Sequence, residues 1–111
     1  MEVGVVTVYV SKELRDNFKE RLESALNLIS QYQIEYEEIG IFGSYARDEF
    51  KNTSDIDICI ITTKHPDRRV SGSLREEAEM LGVDIVYVTP EYFKNCDSRF
   101  AKNLRNDYRR L

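Results

Sequence analysis

A chain of 111 residues, 41% apolar and 32% charged, can bury one modest core and is too short for two, so residues 1–111 read as a single domain. Twenty Asp and Glu against sixteen Lys and Arg give a net charge of −4, which disfavours a polynucleotide held through its phosphates. The longest apolar run, Val3–Val10, falls far short of the roughly 20 residues of a membrane helix and follows no cation, so a cytoplasmic protein without membrane contact is expected.

Val3 to Val10 is rich in β-branched residues and predicts a strand, with Ser11 as a possible N-cap after it. From Glu13 to Ser30, Leu14, Phe18, Leu22, Ala25, Leu26 and Ile29 recur at helical spacing among charges, which predicts an amphipathic helix. Residues 36–42 become apolar towards Gly43 and predict a strand, followed by a short helix from about Ser44 to Phe50. Lys51–Ser54 is a polar turn. Ile56 to Thr62 is the clearest strand in the chain, and its near-continuous apolar run places it centrally, buried on both faces. After the break at His65-Pro66-Asp67, Arg75 to Leu81 predicts a helix stopped by Gly82, and Val83 to Thr89 a further buried strand. Pro90 can open a short helix, and Asp97 or Ser98 can cap a last one carrying Phe100, Ala101, Leu104 and Tyr108. The six cations and three carboxylates of residues 91–111 read as a solvated surface. The order of elements is that of an α/β domain with a mixed sheet flanked by helices.

Chemistry concentrates at three places. At Phe42-Gly43-Ser44 a strand ends in a turn that opens a helix, where glycine permits close backbone approach and free amides with a Ser hydroxyl favour an anion such as phosphate. Asp55 and Asp57 stand two apart at the start of the central strand, so both carboxylates share a face. Two like charges at the mouth of a buried strand are costly unless a cation neutralises them, and hard oxygen ligands suit Mg²⁺ or Mn²⁺; the alternative is a solvated strand end or a helix-capping Asp. Asp84 begins the Val83–Thr89 strand, and if the two strands are neighbours three carboxylates can meet.

Gly43-Ser44, ten residues, then Asp55-Ile56-Asp57 resembles the signature of the polymerase-β nucleotidyltransferase superfamily. The stretch Gly43-Ser44-Tyr45-Ala46-Arg47 with Ser54-Asp55-Ile56-Asp57 is most similar to the minimal nucleotidyltransferases, including antitoxins paired with HEPN-domain toxins. The resemblance implies a polymerase β-like fold, with Asp55, Asp57 and Asp84 as catalytic carboxylates holding two Mg²⁺ ions. Gly43 and Ser44 would cradle the phosphates of ATP, and Arg47 would neutralise phosphate charge unless it simply stands exposed. It further implies transfer of a nucleoside monophosphate, AMP from ATP, to an acceptor hydroxyl, with a Tyr of a HEPN-type toxin as a candidate acceptor. The alternative is a catalytically weak antitoxin module that acts by binding its partner. One departure is Asp48, where the minimal family commonly has Gly: turned inwards it would oppose the triphosphate, turned outwards it would not.

Other classes fall away. There is no Gly-x-x-x-x-Gly-Lys phosphate loop, no Gly-x-Gly-x-x-Gly, and His65 sits in a loop with no nucleophile motif beside it. Cys59 and Cys96 lack metal-type spacing and read as two reduced thiols, Cys59 as core filler. The chain is not itself a HEPN toxin, since Ile58, Cys59 and Ile60 occupy the positions where an Arg should precede His65.

Overall fold

The computed structural model describes residues 10–111. Its first element is α1 (Lys12–Gln31), capped by Ser11, whose hydroxyl accepts from the Leu14 amide at 3.2 Å and so satisfies a donor that the first turn leaves unpaired. Phe18, Ala25 and Ile29 form the buried stripe that a 3.6-residue period produces. The strand expected at residues 3–10 lies outside the described residues except for Val10, which is buried in the core.

β1 (Glu38–Phe42) leads into α2 (Gly43–Ala46), a single turn, and β2 (Ile56–Ile61) returns antiparallel with Phe42 opposite Asp57 and Glu38 opposite Ile61. On the far side of β2, β3 (Val83–Val88) runs parallel, while β4 (Arg109–Arg110) pairs antiparallel with β1. The described strands thus form a mixed sheet in the order β3-β2-β1-β4, and β2 is central as its apolar run requires: Ile56, Ile58, Cys59 and Ile60 are inaccessible to solvent.

Helices cover both faces. α1 and α3 (Arg68–Met80) bury Ile39, Ile41, Ile58 and Ile60 together with Phe18, Leu74 and Ala78. The other face packs Cys59, Ile61 and Val88 against Leu104 of α5 (Arg99–Asp107) and Phe93 of α4 (Pro90–Asn95). Alternation along β2 places Asp57 on this second face, beside Cys59. Burial pushes the Cys59 thiol up to about 12, as befits a core filler, and both cysteines are free. Thr89 and Ser98 cap α4 and α5 through their hydroxyls. No helix among the described residues is long and apolar enough to cross a membrane.

Four elements differ from expectation. α3 starts at Arg68 rather than Arg75, because the Asp67 carboxylate caps it at the Val70 amide (2.9 Å) and the buried anchors Leu74 and Ala78 outweigh the roughly 1 kcal/mol that an interior glycine such as Gly72 costs a helix. α2 ends at Ala46 rather than near Phe50, since the chain leaves the helix through Asp48 at φ +63°. β3 is the edge strand among the described strands and is less buried than expected, only Val83 and Val88 being fully covered, while Asp84 is exposed. β4 carries no hydrophobic period to announce it. It forms where Gly40 leaves room for the Tyr108 ring and for the Arg109 carbonyl, 2.6 Å from where a Cβ would stand, and the Tyr108 hydroxyl donates to Glu38 at 2.6 Å.

Candidate functional site

The antiparallel register of β1 and β2 explains the spacing of the Gly-Ser and Asp-x-Asp motifs. With Phe42 opposite Asp57, the turn that follows Phe42 lies directly over the Asp57 carboxylate. Gly43 adopts φ +77°, and a Cβ there would collide with Asp57 Oδ2, so both the conformation and the space demand glycine. Ser44 opens α2 behind it, and no side chain caps that turn. The loop beyond is fastened to α1 by aromatic packing: Phe50 lies 4.5 Å from Phe18 and 4.9 Å from Tyr45, ring centre to ring centre.

The parallel register of β2 and β3 places Asp84 beside Asp57. Asp57 is half-buried, and burial first, then the charges of Asp84 and Asp55, push its carboxyl up to about 6; Arg47 opposes the shift. Asp55 sits just before β2 and is exposed. The three carboxylates therefore share one electrostatic neighbourhood at the starts of two parallel strands, and Asp57 among them lies against Gly43. Among the described residues no three such groups converge on a common point as a finished metal shell. The donor set is all oxygen, crowded, and without an ammonium or guanidinium bound to Asp57 among the described ion pairs, which is the chemistry that suits a hard divalent cation sharing its remaining ligands with a substrate.

Arg47 stands near this cluster but is already engaged, its Nη1 on Asp107 of α5 at 2.6 Å and its Nε on Glu49 at 3.2 Å. Asp48 turns away from the carboxylates to the Arg15 guanidinium of α1, at 2.5 and 3.0 Å, which holds its carboxyl below the usual range. Its backbone is left-handed, at φ +63°, a conformation that Gly adopts freely and Asp tolerates.

Sequence reasoning missed Arg21. From α1 its Nε donates to the Leu81 carbonyl at 2.7 Å and its Nη2 to the Gly82 carbonyl at 2.8 Å, with Ser54 O at 3.5 Å, while its guanidinium lies 4.2 Å over the Phe18 ring. Ser54 precedes Asp55 and Gly82 precedes the strand of Asp84, so one side chain ties the approaches to both carboxylate-bearing strands. The Ile56 amide, donating to the Gly82 carbonyl at 3.0 Å, completes the tie. The available signal was a cation on the same stripe of α1 as Phe18 and Ala25.

The four-stranded mixed sheet of the described residues, with its Gly-Ser turn over Asp57 and Asp84 at the neighbouring register position, defines a small α/β domain. The family model for the nucleotidyltransferase domain matches residues 12–111, and the chain belongs to that family. Among solved structures it is similar to a presumed nucleotidyltransferase from Sulfolobus solfataricus, with a TM-score of 0.63 at 19% identity over 94% of this chain and 90% of that one. A toxin-antitoxin structure with AMP-PNP is similar at TM-score 0.56 and 18% identity, over 83% of this chain and 70% of that one. A mutant MntA-HpeT toxin-antitoxin structure is similar at TM-score 0.51 and 20% identity, over 81% and 69%. These likenesses are of fold. No curated protein matches the chain.

Proposed function

We propose that this nucleotidyltransferase moves AMP from ATP to a hydroxyl of a partner protein, and that it serves as the antitoxin of a toxin-antitoxin pair. The observation that carries the reading is the seating of Gly43 against Asp57 with Asp84 at the neighbouring register position. Support for the partner comes from the fold likeness to toxin-antitoxin structures and from the net charge of −4, which offers a polynucleotide little attraction.

In this reading Asp55, Asp57 and Asp84 hold Mg²⁺, two ions when the site is filled, which supplies charge neutralisation at the triphosphate. The Gly43 backbone and the Ser44 hydroxyl donate to the β and γ phosphates. Asp84, on the exposed side of the cluster, faces the incoming acceptor and accepts the hydroxyl proton. The acceptor oxygen then forms a bond to the α-phosphorus as the bond from that phosphorus to the β-phosphate oxygen breaks, and pyrophosphate leaves with the electron pair. Arg47 can join the phosphates only by exchanging Glu49 or Asp107 for them. The partner we favour is a HEPN-type toxin modified on Tyr.

The test mixes the protein with the product of the adjacent gene, ATP and Mg²⁺, and follows intact mass. Added AMP on the neighbour, lost in Asp57→Asn, is the expected result. Binding of the neighbour without modification would favour an antitoxin that acts by association alone, and labelling of RNA or a small molecule instead would overturn the protein acceptor.

A further inference from the structure

A cavity of about 500 Å³ opens between α3 and the outer edge of β3, with Asp84 on its rim. Arg68 and Arg75, two helical turns apart, line it from α3, and His65 and Tyr87 line it from the loop and the strand. Between the two arginines lies Gly72. A Cβ at Gly72 would meet nothing within 4 Å among the described residues, so neither backbone conformation nor packing against them asks for glycine there. Glycine weakens a helix interior, and its effect here is to bare the α3 backbone to the cavity. Two further features mark an incomplete surface. Among the described residues the Tyr87 hydroxyl is buried without a hydrogen-bond partner, the Arg68 guanidinium has no ion pair, and Arg75 meets Glu79 on the exposed helix face at 3.5 Å.

We propose that this cavity is the acceptor subsite. It seats an acidic segment of the hydroxyl-bearing partner protein, with a Glu or Asp side chain on Arg68 and Arg75 and the segment's backbone against Gly72. By the register of β2 and β3 the Asp84 side chain shares the α4–α5 face with Asp57, so the segment turns round the edge of β3, which the cavity spans, and there brings its hydroxyl to Asp84. The inference rests on the transferase reading above and adds the chemistry of the acceptor: a cationic wall on a chain of net charge −4 selects an anionic segment, and its continuity with Asp84 selects the acceptor rather than the nucleotide.

A random copolymer of Glu and Tyr serves as the probe, with a Lys and Tyr copolymer as its control, and binding is read by fluorescence anisotropy. The intact protein should bind the acidic copolymer at least tenfold more tightly than the basic one, and the preference should fade with salt. The charge reversal Arg68→Glu with Arg75→Glu should lose tenfold or more. Gly72→Leu, which fills the cavity without altering charge or weakening the helix, should do the same, whereas Gly72→Ala should lose less. Binding of ATP with Mg²⁺, followed by calorimetry, should be unchanged in every variant. Absence of acidic preference in the intact protein, or its survival in both the reversal and Gly72→Leu, would overturn the proposal, and so would loss of ATP binding in these variants. Acidic-copolymer binding by a protein that binds no nucleotide would leave the docking surface standing and sink the transferase reading instead.

Discussion

Asp57 occupies a position that the folded chain makes uncomfortable for a carboxylate, since burial and two neighbouring Asp residues raise its pKa from 3.8 to about 6. The folded state then binds the proton more tightly than the unfolded one, so the contribution of this group to stability is full below about pH 3.8 and is lost as pH rises through 6. A two-unit shift corresponds to about 3 kcal/mol, and half-exposure to solvent brings the expected effect nearer about 1 kcal/mol. Asp57→Asn should accordingly stabilise the metal-free protein by about 1 kcal/mol at pH 7 and change little at pH 4. Urea unfolding at the two pH values measures this, and equal effects at both would refute it. Asp48 poses the opposite case. Asp48→Gly relieves the left-handed backbone but gives up a half-exposed ion pair with Arg15, so the two nearly cancel and stability should stay within about 1 kcal/mol. Asp48→Ala keeps the strain and loses the pair, and should fall below both in the same unfolding measurement.

Among the elements, β2 and its neighbours were legible because apolar runs and Asp positions are local facts: Ile56 to Ile61 is central, and Asp55, Asp57 and Asp84 fall where the strands begin. What could not be read was set by distant partners. The N-terminal half of α3 depends on Asp67 capping Val70 and on a core that Leu74 and Ala78 reach only after folding; β4 depends on Gly40 lying under Tyr108; Arg21 acts across 60 residues of chain. Arg21 tests the role of these ties. Arg21→Met keeps much of the packing on Phe18 but drops the bonds to Leu81 and Gly82, so the strand starts carrying Asp55 and Asp84 should loosen. Mn²⁺ affinity, read by electron paramagnetic resonance well below the unfolding temperature, should fall about tenfold, and Arg21→Lys should recover only part of it because one ammonium cannot reach both carbonyls in a fixed fork. A control of equal destabilisation, Leu26→Ala, should leave Mn²⁺ affinity intact; equal losses in the two would reduce Arg21 to a packing residue. Gly43→Ala should cost about 1 to 2 kcal/mol of stability through its positive φ alone and displace Asp57 as well.

At the scale of the whole molecule, one end of the sheet is devoted to holding like charges together, while α1 and α3 on one face and α4 and α5 on the other supply the burial that makes this tolerable. Such a site destabilises the chain when empty; under the proposed function a cation and a triphosphate would offset this, because anything that binds only the folded state stabilises it by mass action. At a hundredfold excess over its dissociation constant a ligand adds about 2.7 kcal/mol, and a domain of this size shifts its Tm by roughly 4 to 8 °C per kcal/mol. Mg²⁺ with a non-hydrolysable ATP analogue should therefore raise the Tm by about 10 to 20 °C, and neither alone should reach that value, since the carboxylates repel the bare triphosphate and the ion is incompletely held without it. Asp57→Asn should start from a higher Tm at pH 7 and gain little, so that the variant and the intact protein converge or cross as ligand is added. Differential scanning calorimetry across a ligand titration decides it: parallel curves for the two proteins would mean that nucleotide and metal bind elsewhere than at the Asp57 cluster.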